Sequence, residues 1–250
     1  DDLDKYDLSS LVYCISGGAP LPLEVQKEFE NISDCSLVEG YGLSETAPVC
    51  TVNPLVGDRK DGSVGLPLPG TVIEIVSLDD PNIRVPIGEN GEICVSGPQV
   101  MSGYADRAQE TTNVLSNGRL RTGDVGYLDE EGYLFIIDRI KELILSGGFN
   151  VYPRMVEEAI CTHPAVKEAA VVGIPDTHRG EIIKAFVTLQ QDQELKSGDL
   201  RAYLKDKLAP FQMPRRVEFR DTLPRTFIGK LSKKDLLAGD AAAQEDENGT

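Results

Sequence analysis

Leu11-Val12-Tyr13-Cys14-Ile15-Ser16-Gly17-Gly18-Ala19-Pro20 is a short apolar run that ends in a glycine-proline turn. It reads as a buried strand entering a tight turn, since a brief apolar stretch closed by Gly and Pro suits a strand inside a sheet. A helix is expected next: Pro22 sits where a first-turn proline is tolerated, and Val25, Phe29 and Ile32 fall on one face at helical spacing. Ser36 to Tyr41 reads as a second strand. Alternating strand and helix is the pattern of an α/β unit, whose ligands bind beyond the C-terminal ends of the strands. The glycine-rich turns at Gly17 and Gly40 lie at those ends.

Outward from this piece (residues 1–61) the texture changes. Between Gly62 and Asp138 short alternating segments, Val72-Ile73-Glu74-Ile75-Val76, Glu92-Ile93-Cys94-Val95 and Tyr133 to Ile137, are separated by Gly and Pro turns, which predicts a small β subdomain over 62–138. Asp129-Glu130-Glu131-Gly132 is the expected hairpin turn within it. After Arg139 the pattern returns to helices and strands. A helix is expected from Pro153 with Met155, Val156, Ala159 and Ile160, then strands at Val166–Ile174 and Ile182–Leu189, then a helix with Leu200, Tyr203, Leu204 and Leu208. That predicts a compact α+β domain over 139–240. Ser232, three residues before Asp235, suits the cap of a last short helix. The Ala-rich acidic end, 241–250, is expected to be disordered.

With 250 residues and 40% hydrophobic content, the chain has the length of one large or two modest domains. The net charge of −16 argues against sequence-independent binding to nucleic acid or to anionic membrane, so small molecules and proteins are the expected partners. The acidic runs at Asp1-Asp2-Leu3-Asp4 and Glu245-Asp246-Glu247 read as solvated ends. Cys14, Cys35, Cys50, Cys94 and Cys161 form no CxxC pair and have no His at ligand spacing, so neither a zinc site nor a disulfide framework is expected, and a reducing cytoplasm fits. No leader-like N-terminus and no apolar run long enough for a bilayer is present, so any membrane contact is expected to be peripheral.

Four segments bear groups suited to chemistry. Gly40-Tyr41-Gly42-Leu43-Ser44-Glu45-Thr46 offers a ring for a base, glycines for close backbone approach, hydroxyls and amides for a phosphate, and Glu45 for Mg²⁺. In isolation it equally describes a loop with a helix cap. Arg121-Thr122-Gly123-Asp124-Val125-Gly126 reads as a turn presenting a carboxylate that suits the two hydroxyls of a ribose, or simply as an Asp-Gly turn. Asp138-Arg139-Ile140-Lys141-Glu142 by itself reads as a solvated, charge-alternating surface segment. Gly229-Lys230-Leu231 places a lysine, a compact cation on a flexible stem, behind a glycine. His163 and His178 lie apart with no nearby Cys and are assigned to neither a metal nor a base. Gly-Leu-Ser-Glu-Thr lacks the Gly-x-Ser-x-Gly form, so Ser44 is not expected to be a nucleophile.

Taken together and in this order, these segments resemble the adenylate-forming superfamily of acyl-CoA synthetases, firefly luciferase and peptide-synthetase adenylation domains. Gly17-Gly18-Ala19-Pro20, Tyr41 to Thr46, Arg121 to Asp124, Asp138-Arg139, Ser146-Gly147-Gly148-Phe149-Asn150-Val151-Tyr152-Pro153 and Gly229-Lys230 carry the likeness, which runs from about Leu11 to Leu237. The Gly-Phe-Asn-Val-Tyr-Pro wording and Val217 to Asp221 lean towards bacterial long-chain fatty-acid:CoA ligases. The resemblance implies that Gly18, Ala19 and Pro20 line one side of an adenine, with Tyr41 against its face and Ile136 closing the pocket. It implies Thr46 at the α-phosphate, Glu45 on Mg²⁺, Asp124 on the ribose with Arg139 beside it, and Lys141 as a hinge between large and small domains. Gly148 is implied to flank the pantetheine channel of coenzyme A, and Lys230 to bridge the carboxylate and α-phosphate in the first half reaction.

The reaction so implied joins a fatty carboxylate to ATP, giving acyl-adenylate and pyrophosphate, and then passes the acyl group to the CoA thiol with release of AMP. The family's Ser/Thr/Gly-rich phosphate loop is absent from this sequence. The chain therefore reads as the C-terminal portion of such an enzyme, expected to need its missing N-terminal part for efficient adenylation. Two other readings stand beside it: an adenylation unit for an aryl acid or a carrier-protein thiol, and a truncated protein that binds nucleotide or a partner without turnover.

Overall fold

The computed structural model describes residues 5–19, 21–227 and 231–238. The chain divides into two compact units, Asp1–Ile140 and Lys141–Thr250.

In the first unit, β1 (Tyr13–Ser16) and β2 (Ser36–Tyr41) pair in parallel, joined by α1 (Leu23–Ser33). Pro22 is the residue just before the helix, and Asp34, at positive φ, ends it by donating its N–H to the Glu30 carbonyl. β3 (Thr51–Val52) and β4 (Leu66–Pro67) extend the sheet antiparallel in the order β1-β2-β3-β4. The expectation that β1 is buried is not met: Tyr13 and Ile15 are 47% and 63% exposed. The physical reason is position. β1 ends the sheet order, and the apolar side chains of α1 (Val25, Phe29, Ile32) are likewise exposed among the described residues.

The β subdomain is a second sheet, β5 (Val72–Val76), β6 (Gly91–Ser96), β8 (Arg119–Leu128) and β7 (Leu115–Ser116) in that order, with β9 (Leu134–Arg139) paired to β8. A short helix, α2 (Ala108–Val114), precedes β7. Its centre is Cys50, Val64, Ile73, Ile75, Ile93, Val95 and Leu134, against which Tyr41 and Ile136 also pack. The expected turn at Asp129–Gly132 joins β8 to β9, with the Asp129 carboxylate accepting the N–H groups of Glu131 and Tyr133. A second expectation fails here, because Arg121 to Gly126 is not a turn. It lies inside β8.

The second unit is built on one mixed sheet. β12 (Val166–Asp176) and β13 (Gly180–Leu189) form its long antiparallel pair, β10 (Ile144–Ser146) and β11 (Phe149–Val151) a hairpin, and β14 (Arg216–Phe219) runs parallel to β13. α3 (Pro153–Cys161) and α4 (Ser197–Leu204) cover one face, burying Val156, Ile160, Leu200 and Leu204 against Val171, Ile183 and Val187. α4 is shorter than its apolar spacing predicts, with Leu208 lying beyond its end and donating its N–H to the Leu204 carbonyl. The other face packs Phe186 with Ala170, Val172, Leu223 and Leu236. Helical residues 233–238 supply Leu236, and the Asp235 N–H meets the Ser232 hydroxyl at 3.4 Å, the cap read from the sequence. Among the described residues no helix is long and apolar enough to cross a membrane. The tail 241–250 lies outside the described residues.

Candidate active site

Parallel pairing of β1 with β2 puts the C-terminal ends of both strands side by side. A Cβ on Gly17 would stand 3.1 Å from the Gly40 carbonyl, so the Gly17-Gly18-Ala19 turn rests against the start of the Tyr41 turn. Glu39 fixes the far end of the first turn by accepting the Leu21 N–H at 3.2 Å. Pro20 lies outside the described residues.

The second turn closes on itself so tightly that a side chain at position 42 is excluded: a Cβ there would lie 1.7 Å from the Pro48 carbonyl oxygen. Thr46 is the lock. Its hydroxyl oxygen accepts the Leu43 N–H at 3.0 Å and lies 3.0 Å from the Leu43 carbonyl and 3.2 Å from that of Pro48, and the Cys50 thiol donates to it at 3.1 Å. The side chain expected at a phosphate is therefore wholly buried and holds the loop's shape. Burial pushes the Cys50 thiol up, partly countered by Thr46.

Beside it, Glu45 is half-buried, its backbone carbonyl accepting the Met101 N–H and one carboxylate oxygen accepting the Tyr104 hydroxyl at 2.8 Å. That hydrogen bond, with burial, holds the Tyr104 phenol above its usual range. No group of three or more metal-ligating side chains occurs among the described residues. A lone carboxylate oxygen nevertheless fits Mg²⁺, which keeps several waters and takes one or two carboxylates plus phosphate oxygens.

Asp124 is brought to this turn by a bulge in β8. Cys94 pairs with Arg121 and Glu92 with Val125, so Thr122, Gly123 and Asp124 stand opposite Ile93 alone. Bulges re-aim side chains, and Gly123, at φ +73°, makes this one feasible. Its brace is Glu92. That carboxylate, 3% exposed on β6, takes two hydrogen-bonding nitrogens of Arg121 at 2.7 and 2.8 Å and the Gly123 N–H at 3.2 Å. Thr122 completes it, donating to the Ile93 carbonyl and accepting the Asp124 N–H.

The result is a three-residue junction. Asp124 Oδ2 accepts the Tyr41 hydroxyl at 2.6 Å, and Oδ1 lies 3.0 Å from Nε of Arg139, its cross-strand neighbour on β9. The carboxylate is 5% exposed. Burial, then the adjacent Asp124 charge, push the Tyr41 phenol far above its usual range, so at neutral pH Tyr41 is a fixed hydroxyl donor. Ile136 lies opposite Gly126 on β9 and packs against the same cluster as Tyr41. Of the expected residues, Gly18, Ala19, Tyr41, Glu45, Thr46, Asp124, Ile136 and Arg139 thus belong to one unit, and Tyr41, Asp124 and Arg139 make direct contact. Glu92 and Tyr104 were not anticipated. Glu92 is legible only as a carboxylate in an otherwise apolar strand, and nothing local marks Tyr104.

In the second unit, Gly148 occupies the turn of the β10–β11 hairpin, next to Phe149, whose ring stacks on Phe211 at 4.6 Å. Lys141 is the first residue of that unit, in a single 3₁₀ turn. Lys230 and Gly229 lie outside the described residues. The segment following them is anchored by Lys233, whose ammonium meets Glu142 at 3.0 Å and Glu157 at 2.8 Å.

The chain is similar to known proteins in sequence and in fold. Residues 1–105 match the family described as AMP-binding enzyme, and residues 155–230 match the AMP-binding enzyme C-terminal domain. A long-chain-fatty-acid–CoA ligase of Bacillus subtilis is 48% identical over 236 residues, 94% of this chain and 42% of the relative. Among solved structures, ATP-bound MatB from Rhodopseudomonas palustris is 37% identical with a TM-score of 0.83, over 89% of this chain and 44% of that one. The o-succinylbenzoate CoA synthetase MenE of Bacillus subtilis, in complex with an acyl-adenylate, is 35% identical with a TM-score of 0.78, over 90% and 45%. The chain thus spans less than half the length of these relatives. With both family segments in order along it, the chain belongs to the adenylate-forming family of AMP-binding enzymes.

Proposed function

We propose that this chain is the nucleotide-binding and C-terminal part of an ATP-dependent acyl-CoA ligase acting on fatty acids. The observation that carries the reading is the Tyr41–Asp124–Arg139 junction beside the Glu45 turn. A carboxylate is acceptor-only with room for about four hydrogen bonds. Tyr41 and Arg139 use one each at Asp124, which leaves capacity for the two hydroxyls of a ribose. The ring of Tyr41, held from behind through its hydroxyl, is the surface for the adenine face, with the Gly18-Ala19-Pro20 turn and Ile136 at its edges. Burial of the Thr46 side chain leaves the Thr46 segment to meet the α-phosphate with the backbone it holds in place. Glu45 supplies the one side-chain oxygen for Mg²⁺, an ion that neutralises phosphate charge when bound.

In the first half reaction an oxygen of the fatty carboxylate attacks the α-phosphorus as the bond to pyrophosphate breaks. Such chemistry depends on positioning and on charge neutralisation. Lys230 is assigned that neutralisation, between the carboxylate and the α-phosphate. In the second, the CoA sulfur attacks the acyl carbonyl and AMP leaves. Rotation of the small domain about Lys141 withdraws Lys230 and brings the Gly148 turn to the pantetheine arm, a hinge motion between two catalytic arrangements. Five free thiols suit a reducing, cytoplasmic setting. Because the chain spans 42% of its Bacillus relative, the 250-residue chain by itself is expected to give no efficient acyl-CoA formation.

The test is Lys230→Ala in the full-length enzyme, with the half reactions assayed separately. Loss of adenylate formation, with thioester formation from supplied acyl-adenylate retained, is expected; equal loss of both would remove Lys230 from its assigned role. A second reading, activation of an aryl acid, is favoured by the likeness to MenE. A panel of fatty and aromatic carboxylates offered with CoA separates the two.

A further inference from the structure

The C-terminal unit carries a cavity of about 390 Å³ along strand β14, lined by Lys184, Arg201, Arg215, Arg216, Ser197 and Glu218 together with Val217. Lys184 and Arg216 are register partners in the parallel β13–β14 pair, so their side chains share one face of the sheet. Arg215 alternates to the opposite face, the one on which Val217 packs against the cluster containing Leu200 and Leu204 of α4. Arg201 is on α4 itself. Cations therefore reach the cavity from both sides of this strand.

The wall holds four cations and a single carboxylate. That carboxylate is already engaged: Glu218 lies 2.7 Å from Nζ of Lys184 and 2.6 Å from Nε of Arg220. Lys184 is buried, with its ammonium 4.7 Å from the centre of the Phe186 ring. Among the described residues Arg201, Arg215 and Arg216 make no ion pair, in a chain with 41 acidic residues against 25 Lys and Arg. Arg201, Arg215 and Arg216 are exposed and line one cavity, so their charges make it a place where an anion is attracted. Arginine forks match the oxygens of phosphate. Ser197 opens α4, whose first turn has no side-chain cap but carries Asp199, so the helix end itself adds little and the arginines dominate the field.

We propose that this cavity is a binding site for the phosphate group of a small phosphorylated molecule, separate from the junction at Asp124. The volume exceeds that of a phosphate alone and falls in the range of small-ligand sites, about 300–1,000 Å³.

The full chain, titrated calorimetrically at constant ionic strength with inorganic phosphate and with glycerol phosphate, tests this. Saturable binding of one equivalent is expected, weakened roughly tenfold or more in Arg216→Gln and Arg201→Gln, and weakened less in Arg216→Lys, which keeps the charge and loses the fork. Arg107→Gln, in the other unit, serves as the control and leaves binding unchanged. Tighter binding of glycerol phosphate marks an organic phosphate as the ligand; equal binding marks free phosphate. Absence of saturable binding by both probes, or binding unaffected in the Arg201→Gln/Arg216→Gln double variant with an unchanged unfolding midpoint, would overturn the proposal. These arginines would then only guard strand β14 against pairing with other chains.

Discussion

Two amphipathic helices of this chain meet opposite fates. In α3, Val156 and Ile160 are fully buried on the sheet of the C-terminal unit, whereas in α1, Val25, Phe29 and Ile32 are 50%, 38% and 50% exposed. Both sequences have apolar side chains at helical spacing, so the difference is not in the helices. It lies in what each faces: α3 packs on β12 and its neighbours, while Val25, Phe29 and Ile32 of α1 and Tyr13 and Ile15 of the adjacent strand β1 are left exposed by the described residues. The pattern extends to polar groups. Among the described residues the first unit buries the carboxylates Glu92, Asp124 and Asp138 with Thr46, Thr51 and Asn53, whereas the second buries one charged side chain, Lys184, with Ser146, Thr188 and Ser232. The first unit thus gathers buried carboxylates around its site and leaves apolar side chains of α1 and β1 exposed. The second unit covers both faces of its sheet, although Leu145, Phe149 and Met155 stay exposed.

The largest expected effect sets the helices against each other. Ile160→Ala should cost about 2–5 kcal/mol, and Ile32→Ala no more than about 0.5 kcal/mol. Urea unfolding of the two variants reads this directly, and comparable losses would mean that the α1 face is covered in solution.

Next in size is Asp124→Ala, which strands the Tyr41 hydroxyl and the Arg139 guanidinium; a loss of about 1–3 kcal/mol from the first unit is expected. A second variant at this position, Asp124→Asn, carries a spectroscopic signature. In the native chain the Tyr41 phenol is held above its ordinary value by burial and by Asp124. Its contribution to stability is therefore complete below the ordinary tyrosine pKa of about 10 and fades as alkaline pH rises above it. Ultraviolet titration should show Tyr41 ionising above the ordinary tyrosine range, and earlier in Asp124→Asn than in the native chain.

The smallest effect is on the acid side of the second unit. Burial raises the Glu218 carboxyl, but hydrogen bonds from Lys184 and Arg220 more than offset this and leave it below its usual range. Its stabilising share is present above the ordinary carboxylate pKa and is lost as pH falls through the lowered value. Because the side chain is 37% exposed, Glu218→Gln should reduce the acid-side slope of stability by no more than about 1 kcal/mol, measured by urea midpoints across acidic pH.

The amino-acid sequence by itself determined the elements whose signals are local. Ser36–Tyr41 and Val72–Val76 have the bounds their apolar runs predict, α3 begins at Pro153, and the order of the glycine turns carries the family. Hydrophobic period and Gly/Pro punctuation act within a few residues, so one strand suffices to read them. What only the tertiary structure decided are the pairings across long separations. Tyr41 finds Asp124 at 83 residues, Glu45 finds Tyr104 at 59, and Glu92 braces Gly123 at 31. Arg121 to Gly126 looks like a turn because Gly123 and Asp124 favour one locally, but pairing to β6 and β9 holds it in a strand with a bulge. The exposure of β1 was equally hidden, because an apolar run records that a face needs covering and not whether this chain supplies the cover.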